Sequence, residues 1–74
     1  MISIYETKYS DNETKIRTIR HKVFVIGQNV PEEIEIDGKD PECYHVLLTR
    51  YDVPVGTGRM ESDGHIGRIA VLEE

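Results

Sequence analysis

The side chains with most chemical capacity crowd into one stretch. Glu32, Glu33, Glu35, Asp37, Asp40 and Glu42 surround Ile34 and Ile36, bracketed by Pro31 and Pro41. Carboxylates can take protons from, or orient, an amine, and Glu35 and Asp37 are the candidates for that work, although acid runs in loops are commonly just solvated. Gln28, at the end of a helical pattern, can hydrogen-bond an acceptor or cap the helix. His45 has an intrinsic pKa near neutrality. A histidine opening a strand is more often structural, so it ranks below the carboxylates. His21 reads as a helix-surface residue and His65 as part of a turn. The three histidines and Cys43 show no metal-ligand spacing. The calcium-loop pattern fails because Gly38 follows Asp37 directly and Pro41 interrupts the run. No metal is expected, and Cys43, with no partner in sequence for nucleophilic work, reads as a small, partly buried thiol.

These residues must be positioned by the elements around them. Ile2 and Ile4 alternate with Ser3 and Glu6, predicting a short first strand with one covered face. Ser10-Asp11-Asn12-Glu13 matches a capping box, and Ile16, Ile19, Val23 and Phe24 then recur at helical spacing. Lys15, Arg17, Arg20 and Lys22 read as the solvated face of that helix. It should end at residues 25–28, discouraged by Gly27 and Pro31. Residues 29–43 read as an acidic loop. Ile34 and Ile36 alternating with acids favour an extended piece over a helical turn from Pro31. Residues 44–51 form a strand with Val46 and Leu48 on one face and Leu47 on the other. A turn follows at Asp52-Val53-Pro54, then a strand over 55–61. Asp63-Gly64 supplies the next turn, and the final strand covers 66–72. Its unbroken apolar run from Ile69 suggests cover on both faces. The expected class is α+β: strand, helix, acidic loop, then a three-stranded antiparallel meander, in one domain over residues 1–74.

Composition narrows the partners. Nine basic side chains face fourteen acidic ones, a formal net charge of −5, the wrong sign for nucleic acid, where phosphate neutralisation carries affinity. No apolar run approaches the roughly 20 residues of a membrane span, and the N-terminal residues lack the basic start and apolar stretch of a secretory signal. One cysteine permits no internal disulfide and points to the cytoplasm. A chain this short buries only about 60% of its unfolded surface, so one modest core is all it can build.

Three stretches, in order, resemble the GNAT N-acetyltransferase superfamily, and its small ElaA-like branch most. Residues Arg20-His21-Lys22-Val23-Phe24-Val25-Ile26-Gly27-Gln28-Asn29-Val30-Pro31 are similar to that branch's R-x-x-V-F-V-x-E-Q-x-V-P. Glu35, Asp37 and Asp40 follow, with His45 at the next strand's start. Val55-Gly56-Thr57-Gly58-Arg59 and Ile66-Gly67-Arg68-Ile69-Ala70-Val71-Leu72 resemble the middle of the fold. The resemblance spans nearly all of this chain and about half of a complete family domain.

The resemblance implies acetyl transfer from acetyl-CoA to an amine. That reaction needs a neutral amine, a polarised thioester carbonyl and protonation of the leaving thiolate. It also implies that the backbone of Ile69, Ala70 and Val71 faces the cofactor; Glu35, Asp37 and Gln28, read from their residue types, are the candidates for handling the amine acceptor. Two departures stand out. Gly27 occupies the branch's usual Glu position. The family's Gln/Arg-x-x-Gly-x-Gly/Ala loop, whose amides hold the cofactor's diphosphate, would begin about where Glu73-Glu74 stand. Gly56-Thr57-Gly58 sits inside a strand pattern and cannot replace it. The expectation is a half-domain that binds acetyl-CoA poorly and is inactive alone. The alternative is a non-catalytic remnant that dimerises through strand 66–72, the edge its missing half would otherwise cover.

Overall fold

Alternation and helical periodicity place the elements in the expected order. The computed structural model describes residues 1–72. Strand β1 (Ile2–Thr7) leads into helix α1 (Tyr9–Arg20), which widens into a π-helical segment, His21–Ile26. A short helix α2 (Glu32–Glu35) and a 3₁₀ turn (Asp40–Glu42) follow. Strands β2 (Tyr44–Arg50), β3 (Val53–Met60) and β4 (Ile66–Val71) complete the chain. The four strands form one antiparallel sheet in the order β1-β2-β3-β4. The α+β class and the three-stranded meander hold as expected, with β1 added antiparallel to β2.

Helix α1 lies on one face of β2, β3 and β4. Ile16 and Ile19 from the helix meet Leu47 and Ala70 from the sheet, and Tyr9, Val23, Phe24 and Leu72 pack around them. His45, Thr49, Thr57 and Arg59 share that buried face. Thr57 is satisfied there by donating its hydroxyl to the Val46 carbonyl (2.8 Å). The opposite face carries no layer in the described residues. Two expectations therefore fail for one reason: helical cover exists on one side only. Strand β1 is exposed along Ile2–Glu6 rather than covered on one face. In β4, Ala70 is 2% exposed while Ile69 and Val71 stay 65% and 56% exposed.

The helix starts differently from the capping-box reading. It begins at Tyr9 after Lys8, with no side-chain cap, and Asn12 leaves helical geometry (φ −137°, ψ 28°). The Asn12 amide donates instead to Thr7 Oγ1 (2.7 Å). Short polar side chains compete in this way with helix formation, and here the competition ties the helix to the end of β1. At the other end Gly27 keeps right-handed geometry. Asn29 takes the left-handed conformation (φ 57°), and Val30 N donates to the Phe24 carbonyl (2.9 Å) to close the helix. Asparagine tolerates that conformation through local hydrogen bonding. Segment 29–43 also contains α2 where an extended piece was expected. Pro31 opens it as N-cap, its fixed φ suiting a helix start.

Register is set by two irregularities and one tight turn. Arg50 pairs with Val53, so Tyr51 and Asp52 form a two-residue hairpin, with φ of 51° and 66°. Val53 and Pro54 thus belong to β3, not to the turn. The pairing steps from Leu48–Gly56 to Thr49–Pro54, leaving Val55 as a bulge beside the proline, where a missing N–H is tolerated. A second step falls between Thr57–Ala70 and Arg59–Gly67. Left-handed backbone costs an L residue roughly 1–2 kcal/mol, and the turn type used here favours glycine at its second position. Asp52→Gly is expected to raise stability by about 0.5–1 kcal/mol, read as a higher urea midpoint at unchanged m-value.

Candidate functional site

Arg20 sits in register with Ile16 on the inner stripe of α1, and it is 1% exposed. A guanidinium there needs carboxylates, and the acidic segment supplies them. Its Nε and Nη2 donate to the two carboxylate oxygens of Glu35 (2.9 and 2.6 Å), and Nη1 donates to Asp40 Oδ1 (2.6 Å). Arg59, on the buried face of β3, donates to both oxygens of Asp37 (3.0 and 2.9 Å) and to Asp40 Oδ1 (3.0 Å). From β4, Arg68 Nη2 reaches Asp37 Oδ2 (3.3 Å) and the carbonyls of Ile34 and Glu35 (3.3 and 3.2 Å). Three arginines from three elements thus hold three carboxylates of one segment.

Desolvation decides how these charges behave. Burial works against the charge on Arg20, but hydrogen bonds with Asp40 and Glu35 outweigh it and keep its pKa above the ordinary value. The hydrogen bonds from Arg59 hold the Asp37 carboxyl well below the usual carboxylate range, and Arg59 itself is pushed up, chiefly by Asp37. Burial would raise Asp40; bonds from Arg20 and Arg59 override this and lower it. Both aspartates are therefore locked in the charged form. Such a pair adds little net stability over an apolar replacement, but removing one partner strands the other without compensation.

His45 belongs to the same buried layer. Its Nε2 lies 2.8 Å from the Asp40 carbonyl oxygen. A carbonyl can only accept, so Nε2 carries the proton. Nδ1 is buried without a hydrogen-bond partner, and the ring lies against Tyr9 at 5.1 Å between centroids. Burial, with Asp40 and Glu13 nearby, raises the Tyr9 phenol. His45 braces the 3₁₀ turn. Cys43 bonds the Lys39 carbonyl (3.2 Å), and burial pushes its thiol up, away from nucleophilic use. Among the described residues no group of three or more His, Cys, Asp or Glu side chains could hold a metal ion, and no helix is long and apolar enough to cross a membrane.

The other sequence candidates fall elsewhere. Gln28 lines a groove of about 380 Å³ with Lys22, Val23, Gly27, Val71 and Leu72. The structure thus brings Gln28 beside the end of β4, and separates both from Glu35 and Asp37 in their arginine cage. Ile69, Ala70 and Val71 lie on β4, an outer strand that has, among the described residues, a strand neighbour on one side only. Behind them, the uncovered face of the sheet is an apolar groove of about 410 Å³, lined by Ile4, Val46, Leu48, Met60, Ile69 and Val71.

Solved structures superpose closely on this arrangement. Escherichia coli ElaA matches over 99% of this chain and 57% of its own, with a TM-score of 0.80 at 29% identity. A Lactobacillus plantarum protein proposed to be an N-acetyltransferase matches over 96% of this chain and 53% of its own, also with a TM-score of 0.80, at 26% identity. The chain is part of a GNAT domain. Among curated relatives, the uncharacterized N-acetyltransferase YjcF of Bacillus subtilis is 41% identical over 58 residues, which are 74% of this chain and 41% of YjcF. No protein-family model matches the chain. This GNAT segment spans about half the length of the solved relatives and two-fifths of the curated one.

Sequence reasoning picked the carboxylates of the segment and missed the arginines that hold them. Arg20 was read as solvated, yet it follows Ile16 by four residues and therefore shares the inner face. That spacing was the available signal. Arg59 and Arg68 left a fainter one, as charges inside otherwise apolar strands.

Two expectations follow. Arg20→Ala should lose about 3–5 kcal/mol, leaving Glu35 and Asp40 buried without their cation. Against the roughly 4–11 kcal/mol available to a chain of this length, that approaches unfolding. Arg17→Ala, breaking the exposed pair with Glu13, should cost less than about 1 kcal/mol. Urea unfolding compares the two. Asp37 and Asp40 have depressed folded-state pKa values, so their contribution is complete above the unfolded value of about 3.9. Stability should therefore fall as pH drops below about 4, and Asp40→Asn should flatten that decline across a urea series from pH 6 to pH 2.

Proposed function

We propose that this chain forms the acceptor side and the central strand of a GNAT acetyltransferase site, which moves acetyl from acetyl-CoA to an amine. One observation carries the reading: among the described residues the outer edge of β4 has no strand beside it, and the end of β4, at Val71 and Leu72, borders the groove that holds Gln28. An unpaired strand edge offers N–H and C=O groups in the spacing of an extended amide chain. This suits the amide-bearing pantetheine arm, with backbone groups of Ile69 and Val71 as its partners. Acetyl-CoA, when bound, supplies the activated thioester. Backbone amides of the β4 edge would polarise its carbonyl, and the Gln28 side chain would orient the incoming amine.

Glu35 and Asp37 take a different part in this reading. Each has both carboxylate oxygens committed to arginines, which opposes taking a proton from an amine. They act as anchors of the acidic segment. The diphosphate needs a nest of backbone amides, and none follows β4 among the described residues. Residues 1–74 would then be a single partial domain, inactive alone, completed by a C-terminal half. A lone cysteine suits a reducing compartment such as the cytoplasm. Isothermal titration of the 74-residue chain with acetyl-CoA should give negligible heat, and low-micromolar affinity would overturn the half-site reading.

A second reading, a non-catalytic protein that self-associates, is favoured by the same edge together with the apolar face behind it. Two copies paired antiparallel through residues 66–72 would continue the sheet and join their exposed Ile69 and Val71 side chains. Sedimentation at rising concentration should then show a dimer. A monomer throughout would sink this alternative and leave the half-domain standing.

A further inference from the structure

Arg68 stands at the irregularity of β4. Thr57 faces Ala70 and Arg59 faces Gly67, so Gly58 alone opposes both Arg68 and Ile69. Arg68 adopts φ 51°, a conformation that an L residue rarely takes unless its surroundings enforce it. Glycine would meet it without strain, and glycine is the immediate neighbour at 67, yet an arginine occupies the strained position.

Its side chain is held across the sheet by the acidic segment. Arg68 Nη2 donates to the Ile34 and Glu35 carbonyls as well as to Asp37 Oδ2. Two of the three acceptors are backbone, so the contact registers the position of the acidic segment, beyond its charge. Asp37 is fixed in turn by Arg59, and Glu35 by Arg20. The extra residue sets the phase of everything after it, because a one-residue slip turns a strand's side chains to the other face. With the bulge in place Ala70 points into the core and Ile69 and Val71 point out.

We propose that Arg68 is a positioning residue, whose clamp on residues 34–37 holds the β4 bulge and thereby sets the orientation of the Ile69–Val71 edge. Its functional meaning rests on the reading of that edge as cofactor-facing; the clamp itself does not. The acidic segment, on this view, shapes the strand opposite the acceptor side.

Amide hydrogen exchange on the 74-residue chain tests it without cofactor. Arg68→Gly keeps the left-handed backbone and removes the clamp. The β4 amides bonded to β3 should then exchange about tenfold faster or more, while amides between β2 and β3 change less than about twofold. Asp37→Asn, which keeps the side chain's shape and weakens its pairing, should move the same amides to a smaller extent, and it stands in if Arg68→Gly does not fold. Arg68→Lys should recover part of the protection. An equal rise across β2 and β3 would make Arg68 a general stabiliser and overturn the proposal, as would unchanged exchange in β4. Tight acetyl-CoA binding beside the expected exchange pattern would sink the half-site reading alone and leave the clamp intact.

Discussion

A guanidinium buried under a helix must be met by carboxylates, since an unpaired charge in a dry interior is far more costly than any local strain. Arg20 imposes that condition here. It draws Glu35 and Asp40 out of a segment whose composition favours solvation, and with them comes Asp37, which meets Arg59. The segment crosses from α1 to the sheet because the buried guanidinium groups of Arg20 and Arg59 need its carboxylates. Asp40 joins the two halves of the cage, taking Arg20 on one side and Arg59 on the other at a single oxygen. Its carbonyl also receives His45, so one residue ties helix, segment, β2 and β3 together.

That constraint organises the sheet's two faces differently. The inner face mixes a small apolar core of Ile16, Ile19, Leu47 and Ala70 with buried charged and polar side chains, whose carboxylates and guanidinium groups pair with one another. Buried ionic groups give little net stability, yet they discriminate sharply between packings, because a misplaced partner leaves a stranded charge. A core of this size gains most from such discrimination. Among the described residues the outer face is apolar and open, and β4 ends the sheet with no strand on its outer flank. Both features agree with a chain that covers only 53–57% of the solved relatives it superposes on.

Much of this was legible beforehand. The helical recurrence of Ile16, Ile19, Val23 and Phe24, the alternation in β2 and the Asp63-Gly64 turn each express a local preference, and tertiary packing had no cause to override them. The order of elements and the family resemblance followed. The start of the helix was misread because Ser10 and Glu13 satisfy a capping pattern that Asn12 disrupts by bonding Thr7. The fate of the acidic segment was misread because a run of acids looks the same in sequence whether water or arginine solvates it. Of the candidate site, Gln28 and Val71 share a groove, whereas Glu35 and Asp37 are drawn into the charge cage.

The sequence by itself determined the α+β class, the meander, the helix with its inner stripe and the residues able to do chemistry, since these depend on period and residue type over a few positions. Only the tertiary structure decided which charges are buried and which carboxylate each arginine meets. Those outcomes depend on groups that lie far apart along the chain, such as Arg20 and Asp40 or Arg68 and Ile34. A long-range charge pair leaves no period in the sequence; it exists only once the fold has excluded water from around it.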